Sequence, residues 1–227
     1  MAKKIDRICD LAIETTLSFS KAENWISFLN SAAWQYKYSF EDQVLIFAQR
    51  PDARACADFV TWTDKLKRRV SKGAKGIALL REKGSEFHLD HVFDVSDTYK
   101  GARGVDVRLW QYNTKYDDAI TETLENTFGE LKVNTTLIDS IICAAHNAVE
   151  DNKADYLAEL KYAKEDSFLA DIDELNIDIE FQQTAEVSVA YMVMQRLGLH
   201  PEDVFDCEDL RHIIDFNSVE SISVLGN

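Results

Sequence analysis

Proline and glycine are scarce in this chain, with two and eight occurrences among 227 residues. Because both residues interrupt helices, and because disordered chains are rich in them, their scarcity predicts a folded, helix-rich protein. No apolar run approaches the roughly 20 residues of a membrane-spanning helix, and residues 1–6 lack the apolar stretch of a signal peptide. We therefore expect a cytoplasmic protein with no membrane partner.

Metal-binding and catalytic motifs are also missing. The cysteines form no CxxC pair, so neither a disulfide framework nor a zinc knuckle is indicated, and a reducing compartment fits best. The sequence has no P-loop, no GxGxxG, no G-x-S-x-G and no HExxH. These absences predict a protein that is not an enzyme and has no cofactor. The four cysteines are Cys9, Cys56, Cys143 and Cys207.

Acidic residues dominate the net charge of −15, but they are unevenly distributed. Residues 1–110 hold 18 basic and 15 acidic residues, a balance of +3, whereas the remainder holds 7 and 25, a balance of −18. Residues 50–83 alone contain ten basic and four acidic residues. This asymmetry suggests one half that faces a polyanion and one that repels polyanions or meets a basic partner. A merely solvated charged surface is the alternative.

Hydrophobic periodicity predicts an α+β fold that is mostly helical. Helices are expected over residues 4–17, after a capping box of Ser20 and Glu23, and from Ser39 to the Arg50-Pro51 break. Two strands of a small antiparallel sheet are expected near residues 76–95.

From residue 117 onward the pattern is helical and acidic. Helices are predicted at 117–128, 134–151, 153–164 and 181–198, the last ending at Gly198. The change of charge and period places one domain at 1–115 and a second at 116–227.

A basic turn and several aromatic residues carry the binding prediction. Glycines in such a turn allow the backbone to approach a phosphate closely, and neighbouring cations supply charge. Aromatic rings that lie exposed can stack on unpaired bases. Core packing is the alternative for each ring, and it is the expectation for Trp25 and Phe28. The predicted nucleic-acid-binding residues are Arg68, Arg69, Lys72, Gly73, Lys75 and Gly76, with Trp34, Tyr36, Tyr38 and Trp62 for stacking.

Several ordered motifs resemble a known family. They are Tyr38-Ser39-Phe40, Gln43-Val44-Leu45-Ile46 with Ala48-Gln49-Arg50-Pro51, Trp62, Lys72-Gly73-Ala74-Lys75-Gly76-Ile77 and Val92-Phe93-Asp94-Val95-Ser96. In this order they resemble the N-terminal domain of ArdC-type antirestriction proteins, in the version found at the front of large helicase and methylase proteins of Gram-positive conjugative elements. The resemblance covers about residues 20–97 and implies a single-stranded-DNA-binding domain. Whether the chain acts alone or as part of a longer protein stays open.

The resemblance also implies a zinc-metallopeptidase-like second half. Such a site needs two histidines one helical turn apart and a glutamate base. A remnant would use His146, Glu150 and Glu186, with Asn147 in place of the base. We therefore expect a degenerate layout and no catalysis, with a bound metal as the less favoured alternative.

Two functions compete at this point, and a degenerate metallopeptidase that retains weak metal binding or activity is a third, ranked last because the base is missing. The first is a non-catalytic module of a mobile genetic element that binds single-stranded DNA and has an antirestriction role. The second is an acidic DNA mimic that binds a basic partner, such as a host defence nuclease or a CRISPR effector. The first predicts salt-sensitive DNA binding, and the second predicts none.

Overall fold

The computed structural model describes residues 2–84, 86–107, 109–131 and 136–227. The fold is α+β and mostly helical, as predicted. The α-helices are α1 (Ala2–Ser18), α2 (Ala22–Ala32), α3 (Phe40–Gln49), α4 (Asp117–Phe128), α5 (Leu137–Ala163), α6 (Glu174–Leu197) and α7 (Val219–Gly226). The strands are β1 (Cys56–Asp58), β2 (Arg68–Val70), β3 (Ile77–Lys83), β4 (Glu86–Asp94) and β5 (Thr98–Lys100). Shorter helical turns occupy 61–65, 95–97, 114–116, 168–171, 201–203 and 211–215.

The chain forms two compact units. The first comprises residues 1–16 and 34–109, and the second comprises 17–33 and 110–227. The sequence placed 1–115 in a single domain, whereas in the structure residues 17–33 belong to the second unit. The reason is that α2 packs on α6, where the indole Nε1 of Trp25 donates to Ser188 Oγ at 2.8 Å.

The first unit is built on two antiparallel sheets. One has the strand order β1-β4-β3, and the other pairs β2 with β5. Helices α1 and α3 contribute Ile8, Leu45 and Ile46 to a core with Leu79 of β3 and Val92 of β4. The predicted sheet near residues 76–95 is confirmed, and the sequence did not predict β5.

Hydrogen bonds from side chains join α3 to β3. The side-chain amide of Gln49 donates to Ala78 O at 2.8 Å and accepts from Ala78 N at 2.9 Å. Arg81 of β3 donates to both carboxylate oxygens of Asp42, at 2.7 and 2.8 Å. These contacts fix α3 against the sheet.

The predicted helix ends are only partly correct. Ser39 caps α3 by accepting from Asp42 N, and Gly198 ends α6 in the left-handed region with φ of 75°. The capping box of Ser20 and Glu23 is wrong, because Lys21 is the N-cap of α2 and Ser20 Oγ instead donates to Leu17 O.

The second unit is helical around α5 and α6, which pack against each other. Its core includes Ile141 and Ala145 of α5 with Ala190 and Met194 of α6. Trp25 and Phe28 are buried together, as expected.

Two helices of the second unit differ from their predicted bounds. The helices predicted at 134–151 and 153–164 form one continuous α5, since no proline or glycine interrupts residues 137–163. Residues 134 and 135 of that prediction lie outside the described part. Helix α6 begins seven residues before the predicted start at 181, because Asp173 caps it by accepting from Leu175 N and Asn176 N. No helix among the described residues is long and apolar enough to span a membrane.

Candidate nucleic-acid interface

The candidate interface lies on the small sheet of β2 and β5. The two strands are antiparallel, with Arg69 opposite Tyr99 and Arg68 opposite Lys100. Directly opposed residues of an antiparallel pair point to the same face. Arg69 and Tyr99 are both exposed, and the Tyr99 side chain keeps half of its surface accessible. One face of this sheet therefore presents a cation beside an aromatic ring.

Arg68 lies on the other face and is tied into the fold. Its guanidinium donates to Thr98 Oγ1 at 2.8 Å, to Thr98 O at 3.1 Å and to Val105 O at 3.3 Å. Thr98 itself is buried. The guanidinium is therefore engaged in joining β2, β5 and the following loop, so the structure assigns Arg68 to the fold rather than to phosphate binding.

Five other cations around this sheet have no such role. All five are exposed, and no side-chain hydrogen bond or ion pair connects them to a residue that the structure describes. Exposed cations that the fold does not use are free to meet phosphates. Together with Tyr99 they are called the basic surface below: Lys67, Arg69, Lys72, Lys75 and Arg103.

Backbone hydrogen bonds attach the loops that carry some of these cations to the sheet. The backbone N–H of Ser71 donates to Asp97 O at 2.8 Å, which keeps the turn carrying Lys72 beside the start of β5. On the opposite side, Val105 N donates to Leu66 O at 2.9 Å, so the loop with Arg103 stays against the start of β2. The basic surface thus combines Arg69 and Tyr99 of the sheet with cations from the segments that flank its strands.

Glycines shape these loops in two different ways. Gly73 adopts a φ of +88°, a conformation that side chains disfavour, and an added Cβ there would meet no atom within 4 Å. At Gly76 an added Cβ would lie 3.0 Å from the Cβ of His91, and at Gly104 it would lie 2.8 Å from the carbonyl oxygen of Lys67. Gly73 therefore serves the turn, whereas Gly76 and Gly104 allow close packing.

Two of the predicted stacking residues are held inside the fold. Trp62 is 1% exposed, and its indole Nε1 donates to Phe93 O at 2.8 Å. The Tyr38 hydroxyl donates to Cys56 O at 2.9 Å, and burial raises the pKa of Tyr38. Stacking by Trp62 is excluded in this structure because its ring belongs to the core, and Tyr38 is a structural residue by its contacts.

Trp34 and Tyr36 are more accessible. Trp34 is partly buried, and the guanidinium of Arg54 lies 4.5 Å from its ring centroid in a cation–π arrangement. Tyr36 is 56% exposed, with the ammonium of Lys37 5.6 Å from its ring centroid.

Sequence reasoning missed Tyr99, Lys67 and Arg103. The signal was weak, because residues 96–115 read as irregular and β5 has only three residues. Thr98 and Tyr99 point to opposite faces of β5, but an alternation over so few residues is too short to predict a strand from the sequence without its partner β2.

Motif residues beyond the basic turn hold the fold. The Asp94 carboxylate is 2% exposed and accepts from Arg54 N at 2.7 Å, Ala55 N at 2.9 Å and Ser96 N at 2.9 Å. Burial alone would raise the pKa of Asp94, but hydrogen bonds from Ser96, Ala55 and Arg54 outweigh it and hold the pKa below its usual value. Arg50 similarly pairs with Asp97 at 2.6 Å.

The residues of the proposed metallopeptidase remnant do not fit a zinc ion. His146 Nδ1 lies 2.7 Å from Glu186 Oε1, but Glu150 pairs instead with Lys153 at 3.0 Å. The three do not form a group that could hold one ion within the described part of the chain. Asn147, at the position of the base, donates to Phe128 O at 2.9 Å.

Comparisons with known proteins give no family for this chain. No protein-family model, no curated protein and no solved structure matches it. The resemblance to ArdC-type proteins therefore stays a prediction from the sequence motifs.

Proposed function

We propose that the first unit binds single-stranded DNA through the basic surface, with Tyr99 as a stacking residue. The observation that carries this proposal is a set of exposed cations whose side chains the fold does not use, one of which, Arg69, lies opposite the exposed ring of Tyr99 on β5. Phosphate contacts supply affinity without sequence preference, and stacking on a ring favours bases that are not paired. The resemblance to ArdC-type domains supports the same function.

Charge segregation supports the assignment to this unit. The acidic excess lies after residue 110, where the chain has 25 acidic and 7 basic residues. A polyanion would be repelled by that part of the chain and attracted to the basic surface. The overall charge of −15 therefore does not argue against DNA binding.

Fluorescence anisotropy with a labelled oligothymidine and a duplex of equal length tests the proposal. We expect binding to the single strand that weakens steeply between low and moderate salt, since each phosphate contact releases a counterion. Lys72→Glu with Lys75→Glu should reduce affinity at least about tenfold, because two attractions become two repulsions.

A matched control separates local contacts from net charge. Lys161→Glu with Lys164→Glu makes the same charge change on α5 and just after it, in the second unit, and should leave affinity within about twofold. Equal losses in the two double variants would show that only net charge matters. Unchanged affinity after Lys72→Glu with Lys75→Glu would remove the turn from the site.

An acidic DNA mimic is the second candidate, and the acidic second unit favours it. Exposed carboxylates follow the solvent side of α4 and α5, including Asp118, Glu122, Glu125, Asp151 and Asp155. This function requires affinity for a basic defence protein and none for DNA. Failure of both oligonucleotides to bind would favour it.

An antirestriction role in a mobile genetic element is a further part of the proposal and derives from the resemblance alone. Transfer of unmodified DNA into a restricting host, with and without this protein, measures that role. Higher transfer with the unaltered chain but not with the Lys72→Glu, Lys75→Glu variant would connect the role to DNA binding. Equal protection by both would point to the acidic unit.

A further inference from the structure

A second cluster of chemically active side chains lies in the second unit, away from the His146–Glu186 pair in sequence. Glu180 belongs to α6, and His212 and Asp215 belong to the helical turn at 211–215. One ligand atom from each lies within 4.8 Å of the other two, the one such group among the described residues. Below, these three residues are called the α6 cluster.

The distances in the α6 cluster are too long for hydrogen bonds. His212 Nδ1 lies 3.7 Å from Glu180 Oε1 and 4.0 Å from Asp215 Oδ2. An N–H···O bond has about 2.7–3.2 Å between its heavy atoms. Ligands of a tetrahedral zinc ion, with bonds of about 2.0–2.1 Å, lie roughly 3.3 Å apart. The two distances from His212 exceed this ligand spacing by less than about 1 Å, and the third pair, Glu180 with Asp215, lies within 4.8 Å.

Glu180 supplies an independent indication. Its Oε2 is buried and has no hydrogen-bond partner among the residues that the structure describes. The side chain as a whole is only 14% exposed. Burying a carboxylate oxygen without a hydrogen-bond partner costs desolvation free energy. A cation bound at this oxygen would offset that cost.

The electrostatics of the cluster agree with this reading. His212 Nδ1 lies within 4.0 Å of one carboxylate oxygen of Glu180 and one of Asp215, and all three side chains are only partly exposed. Two partly buried carboxylates thus lie near one histidine, and a divalent cation would relieve the repulsion between them.

The geometry points to a binding site for one divalent transition-metal ion formed by Glu180, His212 and Asp215. An imidazole nitrogen with two carboxylates suits zinc or manganese better than magnesium or calcium, which prefer oxygen ligands alone. Three protein ligands leave a fourth position for water. The site belongs to the second unit alone and does not depend on DNA binding by the first.

Isothermal titration calorimetry of the metal-free protein with zinc chloride tests the inference. A parallel titration with magnesium chloride gives the comparison. We expect one zinc per chain, a higher melting temperature with zinc, and no comparable effect of magnesium. His212→Gln and Asp215→Asn should each weaken zinc binding at least about tenfold, since each removes one of three ligands. Circular dichroism of each variant checks that it is folded, and the second variant serves if the first is not.

Control variants remove the competing ligands. Cys207→Ser removes an exposed thiol, and His146→Gln removes the other histidine that lies beside a carboxylate. Both should bind zinc as the unaltered chain does. Absence of stoichiometric zinc binding would overturn the inference, as would loss of binding in His146→Gln or Cys207→Ser with retention in the α6-cluster variants.

Discussion

Charged residues of the first unit have two different roles: some stabilise the fold, and others are available to a ligand. The side chains of Asp94, Arg50 and Arg68 form hydrogen bonds inside the fold. The cations of the basic surface lie exposed and are engaged by no described residue. Arg68 and Arg69 show the contrast most directly, since adjacent positions on β2 point to opposite faces. Charge count alone therefore says little about which cations are available to a ligand.

Trp62→Ala should have the largest effect on stability and so tests the structural side of this contrast. Removing a buried indole leaves a cavity and removes the hydrogen bond to Phe93 O, which costs about 3–5 kcal/mol in the free energy of unfolding. Urea denaturation measures the change. Tyr36→Ala, at an exposed ring, is the matched control and should change stability by about 0.5 kcal/mol or less. A similar, small loss in both variants would mean that Trp62 is not a core residue.

Asp94→Ala should come next. The change leaves the backbone N–H groups of Arg54, Ala55 and Ser96 without their acceptor and should cost about 3 kcal/mol. Because the folded-state pKa of Asp94 is lowered, its contribution is present above the unfolded-state pKa of about 3.9 and is lost as pH falls through the folded-state value.

Denaturation of the unaltered chain and of Asp94→Ala across pH 2–7 measures that dependence. The difference in unfolding free energy between them should be constant near neutral pH and shrink below about pH 4. A difference that grows as the pH falls would contradict the assigned role of the carboxylate.

Arg68→Ala and Arg69→Ala form the sharpest pair, with the smallest stability change. Arg68→Ala loses its hydrogen bonds to Thr98 and Val105 and should be destabilised by about 1–2 kcal/mol. Arg69→Ala should stay within about 0.5 kcal/mol, yet lower the salt dependence of DNA binding by roughly one phosphate contact. Denaturation and anisotropy on both variants measure the two effects. If Arg68→Ala changed only DNA binding and Arg69→Ala changed only stability, the assignment of these residues to the two faces of β2 would be wrong.

Local sequence signals predicted much of the fold. The period of the apolar residues located α4 and the two strands within 76–95, and Gly198 marked the end of α6. The join at residue 152 was missed because polar residues there weaken the apolar pattern without breaking the backbone. The start of α6 was missed because it is set by the side chain of Asp173, which accepts hydrogen bonds from Leu175 N and Asn176 N, and not by the spacing of apolar residues.

The candidate site was less predictable, for a long-range reason. The basic turn was visible from its composition, but the roles of Arg68 and Arg69 depend on the pairing of β2 with β5, about 30 residues later. Trp62 was also ambiguous, because the acceptor of its indole N–H, Phe93 O, lies 31 residues later in the chain. The α6 cluster brings together residues 180 and 212, which are far apart in the sequence, and no sequence motif with a fixed spacing predicts such a pair.

The contact between Gln49 and Ala78 has a consequence for association between molecules. In the order β1-β4-β3, strand β3 is an outer strand, and outer strands tend to recruit strands from other chains. The amide of Gln49 occupies both the N–H and the C=O of Ala78, as the backbone of a further strand would. A side chain of α3 thus occupies this edge at Ala78, so a strand from another molecule could pair there only after displacing Gln49.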